Sequence, residues 1–123
     1  MLKFIFMINR IEGMSFERFV EYHRNRHAPL FTSIPEAQRY VRKYTVSHPV
    51  RAENYPSPAY DGLTEIWFES WEDHHAFFAS ENYKKLVNPD EAKFIDVSSV
   101  AFMVTEEEVV IRHDSPTRPR VPR

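Results

Sequence analysis

The polar and apolar positions along the chain fall into an ordered series of patterns. Leu2–Ile8 is apolar at nearly every position, which reads as a strand covered on both faces. Ile11–Gly13 turns the chain. Counted at about 100° per residue from Phe16, the side chains of Phe19, Val20, His23, His27, Leu30 and Phe31 fall within roughly 60° of one line. A helix is therefore predicted from an N-cap at Ser15, with Glu17 favoured by its dipole, to about Ala28. Pro29 lacks a donor and disfavours α geometry at Ala28, so the helix ends or kinks there.

Gln38–Val50 is predicted as the second strand. Tyr40, Arg42, Tyr44, Val46 and His48 lie on one face, and Val41, Lys43, Thr45 and Ser47 on the other. Arg51–Tyr60, with Pro56 and Pro58, is a loop closed by Asp61-Gly62. Leu63–Glu69 is a third strand, with Leu63, Glu65, Trp67 and Glu69 on one face and Thr64, Ile66 and Phe68 on the other. Ser70 and Asp73 start a second helix carrying Phe77 and Phe78. A helical segment opens at Ser80. Asn88-Pro89-Asp90-Glu91 reads as a further start, with Asn88 as N-cap and Pro89 in the first helical position. Val97–Glu106 is the last strand. The order βαββαβ is the split βαβ arrangement: an α+β fold with a four-stranded antiparallel sheet and helices on one face. The apolar character of both faces of the first strand requires cover for the other face. A homodimer packing sheet against sheet supplies it most simply.

Composition narrows the chemistry. The 123 residues suit one domain, read as residues 1–110, followed by a proline- and arginine-rich tail over 111–123 with Arg118, Arg120 and Arg123. Ten Phe and six Tyr predict a ring-lined core or cavity, which suits a small hydrophobic ligand. The net charge of −2 offers no basic excess for nucleic acid. The absence of cysteine excludes disulfides, zinc–thiolate and iron–sulfur sites and thiol nucleophiles, and fits a cytoplasmic protein. The apolar run Phe4–Ile8 is too short for a signal peptide, and nothing approaches the roughly 20 apolar residues of a membrane span. With two glycines there is no nucleotide-binding glycine fingerprint.

His23 and His27 stand out because they occupy the apolar stripe of the first helix. Burying an imidazole without a partner costs on the order of 1–3 kcal/mol, so this face meets a polar partner or a ligand. His27 in a ring-lined cavity can move protons near neutral pH. The competing reading is a core histidine bonded to a carbonyl. His23 and His27 also have the spacing of a helical metal pair, but no third ligand is evident, so no metal is expected. Glu65 shares a face with Trp67, where a carboxylate beside an indole suits acid or base work; the alternative is a cross-strand pair with Arg42 or Lys43. Tyr40 and Tyr44 can orient a substrate oxygen or simply fill the interior.

Three segments carry a resemblance. Phe16–Leu30, ending in His27-Ala28-Pro29-Leu30, resembles the first-helix signature of the EthD-like family, named for ethyl tert-butyl ether degradation. Tyr60-Asp61-Gly62 with Glu65-Ile66-Trp67-Phe68 resembles its third-strand signature, and Asp90-Glu91 with Phe94-Ile95-Asp96 its approach to the last strand. The resemblance implies a ferredoxin-like, dimeric α+β barrel with cavities between sheet and helices. Its superfamily includes cofactor-free monooxygenases of aromatic polyketides, haem-degrading enzymes, lactone isomerases, dehydratases and decarboxylases. In methylmuconolactone methylisomerase, a relative, a catalytic first-helix histidine matches His27 and a second-strand tyrosine matches Tyr40. The flanking pattern differs here, so that reaction does not carry over.

The expected function is then cofactor-independent acid/base chemistry on an aromatic, polyketide-like or lactone molecule. His27, Tyr40 and Glu65 are the expected catalytic residues, and His23, Tyr44, Trp67 and Phe94 the substrate-binding ones. The resemblance also allows a non-catalytic accessory protein of a degradation system. Haem binding through an axial histidine is a third reading.

Overall fold

The computed structural model describes residues 1–113; the predicted tail lies outside the described residues from 114 onward. Four strands, β1 (Leu2–Ile8), β2 (Val41–Ser47), β3 (Gly62–Phe68) and β4 (Ala101–Glu106), form one antiparallel sheet in the order β2-β3-β1-β4. The central strand β1 pairs Phe4 with Ile66 on one side and Val104 on the other. Alternation along β3 buries Thr64, Ile66 and Phe68 beneath the helices. Glu65 and Trp67 lie on the opposite face, in register with Ile5 and Lys3.

The first helical run is longer than predicted and changes pitch. Ser15 accepts from the Arg18 N–H and starts α1 (Phe16–Tyr22). A π turn spans His23–His27, and the chain continues as α2 (Ala28–Ser33) with Pro29 in its first turn. Pro29 therefore kinks the helix and does not end it. It cannot donate to the carbonyl four residues back, and its ring crowds that carbonyl. The wider turn absorbs this, and the Ala28 N–H bonds to the His23 carbonyl.

Two strand boundaries also differ. Pro35–Tyr40 forms a short helix, α3, because Ile34 is extended and Pro35 and Glu36 favour a first turn. Strand β2 begins only at Val41, with a bulge before Lys43, so Tyr40 and Tyr44 do not share a strand face. At the far end, Val97–Ser99 is a 3₁₀ turn capped by Asp96, and β4 starts at Ala101.

The proline-linked π turn recurs in the second helical run. Ser70 caps α4 (Trp71–Ala79), a π turn spans Tyr83–Val87, and α5 (Asn88–Glu91) continues from it with Pro89 in its first turn. The Asn88 N–H bonds to the Tyr83 carbonyl. Asn88 is thus a helix-interior residue and makes no side-chain cap, because the chain runs straight into it from the π turn.

Two clusters fill the space between sheet and helices. One joins Phe31, Ile34, Ala37, Ile66, Phe68, Phe77 and Val87; the other joins Ile8, Phe19, Phe94 and Ile95. The site lies where they meet.

Candidate active site

The first π turn places His23 and His27 on the buried side of the helical run, 1% and 5% exposed, with ring centroids 6.2 Å apart. Phe94 covers both, at 5.4 Å from His23 and 4.9 Å from His27. His27 Nδ1 lies 2.9 Å from Asp90 Oδ2, and Asp90 Oδ1 accepts from the Tyr22 hydroxyl at 2.7 Å. Burial pushes the Asp90 carboxyl up. Hydrogen bonds from Tyr22 and His27, with the charges of His27 and Lys93, outweigh it and hold the group below its ordinary value. Burial is also the largest influence on His27 and lowers it, in spite of the opposing pull of Asp90. At neutral pH the pair is therefore a carboxylate accepting from the Nδ1–H of a neutral imidazole. Its Nε2 is left as the basic nitrogen, with no hydrogen bond among the described residues.

His27 lines a narrow cavity between sheet and helices, together with His23, Tyr44, Thr64, Glu91 and Phe94. Its free volume of about 20 Å³ is room for a water molecule or two, with Phe4, Phe6 and Phe78 along its walls. Glu91 is the second acid/base group. Burial raises it to about 7, although the Tyr83 hydroxyl donates to its Oε2 at 2.8 Å. Tyr44 stacks on Phe31 with centroids 4.1 Å apart, and burial raises its phenol above the usual range.

His23 is fully committed. Its Nδ1 meets His48 Nε2 at 2.8 Å and its Nε2 meets Thr64 Oγ1 at 3.2 Å. Burial, then the neighbouring His48, His27 and Arg24, push it down to about 3, so it is neutral throughout the physiological range. It lines the cavity, and both nitrogens already have partners.

Of the seven residues singled out in the sequence, four meet here: His23, His27, Tyr44 and Phe94. Three do not. Glu65 and Trp67 lie on the far face of the sheet. Glu65 pairs there with Lys3 at 3.0 Å and accepts from Thr45, and the Trp67 indole N–H donates to Glu107 at 2.9 Å. Tyr40 ends α3, with the Arg39 guanidinium over its ring at 5.2 Å. Asp90, Glu91, Tyr83, Thr64 and His48 are additional members. The signal shared by the two sides of the site is a proline interrupting a helical pattern, at Pro29 and at Pro89. π turns at such interruptions often accompany functional sites. Among the described residues no cluster of three or more His, Asp or Glu is placed to hold a metal.

The family model of the EthD domain matches residues 11–98. Among solved structures, an ethyl tert-butyl ether degradation (EthD) family protein from Bacillus halodurans is 24% identical. That match covers 88% of this chain and 99% of the other, with a TM-score of 0.68. A dimeric protein with a ferredoxin-like fold from Bacteroides fragilis is 14% identical over 86% and 95% of the two chains, with a TM-score of 0.64. HapK from Hahella chejuensis is 15% identical over 94% and 100%, with a TM-score of 0.63. No curated protein matches the chain. At these identities the structural likenesses establish the ferredoxin-like α+β fold.

Proposed function

This chain belongs to the EthD family, and from that premise we propose that it is an acid/base enzyme acting on a small hydrophobic molecule in the cavity between sheet and helices. One observation carries the reading. His27, oriented by Asp90 through Nδ1 and with its Nε2 left as the basic nitrogen, lines the same apolar cavity as Glu91, a carboxyl raised to about 7. Two groups whose surroundings push them to different protonation states at one pH can divide the roles of base and acid. His27 takes a proton from the ligand and Glu91 returns one. Isomerisation, dehydration and decarboxylation of an aromatic, polyketide-like or lactone molecule all fit this arrangement, with the chain's own side chains supplying the acid and the base. A cofactor-free monooxygenase step begins with the same proton abstraction. Tyr44 and Phe94 act as cavity walls, and His23 as a supporting residue.

The narrowness of the cavity favours a second reading, an accessory binding protein of a degradation system that holds a ligand without transforming it. A thermal-shift screen of phenols, quinones and lactones against wild type and His27→Ala, coupled to product analysis, separates the two. A ligand that stabilises wild type, is converted by it and is left intact by His27→Ala supports the enzyme. Turnover retained in His27→Ala overturns it. A stabilising ligand recovered unchanged from wild type supports the accessory reading.

The outer sheet face, with Ile5, Met7, Leu63 and Met103, is the proposed homodimer surface. The B. fragilis neighbour is described as dimeric. A monomer by light scattering would refute it. No helix of the described residues is long and apolar enough to cross a membrane.

A further inference from the structure

His48 lies just beyond β2, at the edge of a surface groove that includes Pro49, Pro58 and Tyr60. Its Nε2 reaches inward to His23 Nδ1 at 2.8 Å, and His23 Nε2 continues to Thr64 Oγ1 at 3.2 Å. Thr64 lines the cavity and makes no other side-chain hydrogen bond among the described residues. His48, His23 and Thr64 are thus joined in one line from groove to cavity. The close approach of His48 depends on Gly62, where a Cβ would meet Phe19 at 3.2 Å and His48 Cδ2 at 3.3 Å.

The direction of the line is set by its outer end. His48 Nδ1 is buried and has no partner among the described residues. A buried N–H without an acceptor is rarer and costlier than a lone pair without a donor, so the proton of His48 belongs on Nε2. It then donates to His23 Nδ1. With Nδ1 accepting, the neutral His23 carries its proton on Nε2 and donates to Thr64 Oγ1. The Thr64 hydroxyl, already accepting, has its own proton left to give, and the cavity is the space beside it.

We propose that His48 and His23 polarise Thr64 so that its hydroxyl donates into the cavity, and that the ligand presents an oxygen there, a carbonyl or the enolate formed from it. This rests on the reading of the cavity as an acid/base site. It narrows the substrate to a carbonyl compound whose proton His27 removes while Thr64 holds the oxygen on which charge develops. Thr64 is the group that touches the ligand; His23 and His48 are positioning residues.

The test needs no ligand. Long-range proton–nitrogen correlation spectra of ¹⁵N-labelled protein at neutral pH assign each imidazole tautomer. The expected result is protonated Nε2 on both His23 and His48, with His27 protonated on Nδ1. In Thr64→Val the His23 Nε2–H signal shifts and exchanges faster, and Thr64→Ser restores it. A His23 protonated on Nδ1 overturns the proposal, because Thr64 then donates inward to His23. A Thr64→Val spectrum identical to wild type at His23 overturns it as well. If Thr64→Val does not fold, the wild-type tautomers and Thr64→Ser decide. His27→Ala keeps the two outcomes apart: it removes turnover if the enzyme reading holds, yet leaves the His48–His23 tautomers as in wild type.

Discussion

His27 and Asp90 are 63 positions apart in the chain and 2.9 Å apart in the fold, His27 closing one proline-linked π turn and Asp90 lying just beyond the other. The Tyr22 hydroxyl holds the second carboxylate oxygen, so Asp90 fixes both the tautomer and the ring orientation of His27. This makes Asp90 the most sensitive partner of the base.

Replacing Asp90 by Asn keeps the shape and removes the charge. Turnover of a substrate found in the ligand screen is expected to fall about 100-fold or more, in the range that general-base catalysis contributes. Titration of His27 by NMR moves to lower pH, because the carboxylate no longer supports the imidazolium. Unchanged turnover would remove Asp90 from the mechanism.

Glu91 makes both stability and rate depend on pH. Its carboxyl is raised in the folded state, so its contribution to stability is full below the ordinary value of 4.5 and is lost as the pH rises through about 7. Urea denaturation is expected to show a loss on the order of 3 kcal/mol across that window, and a much smaller one in Glu91→Gln. The rate should fall above pH 7 as the acid ionises. Glu91→Gln should lose that alkaline limb together with most activity.

His23 acts in the opposite sense. Its folded value is depressed, so its contribution is present above the unfolded value of 6.5 and is lost as the pH falls toward about 3. Between pH 6.5 and about 5, wild type should lose about 2 kcal/mol more than His23→Gln, from the linkage of one proton. Parallel stability curves for the two proteins would contradict this.

Phe94 is wholly buried and packs against Phe19, Tyr22, His23 and His27. Phe94→Ala is expected to cost about 3–5 kcal/mol by chemical denaturation, the usual range for a buried phenylalanine. A loss below about 1 kcal/mol would mean that the cluster of Ile8, Phe19 and Ile95 does not depend on this ring.

The sequence carries these features unevenly. The first-helix stripe already places His23 and His27 on the buried side, because helical periodicity is local. Alternation along β3 separates Thr64 and Ile66 from Glu65 and Trp67, but it cannot say which of two half-apolar faces the helices will cover. That is settled by packing, and Glu65 and Trp67 fall on the other side. Tyr40 looks like a strand residue by its alternation with Tyr44, until Pro35 starts a helix five residues before it. Asp90 and Glu91 read locally as a helix start, and their meeting with His27 and Tyr83 is a tertiary event that no local pattern encodes.

Each π turn holds one residue more than an α turn spanning the same distance. A deletion within His23–His27 would let the turn close into an ordinary α turn over the same distance, leaving α1 and α2 in place and re-aiming only the side chains within the turn. His23 and His27 would then stand three positions apart instead of four, although neither had been replaced. The geometry of this site is therefore set by chain length as well as by residue identity, and a change in length can dismantle it while every named side chain survives.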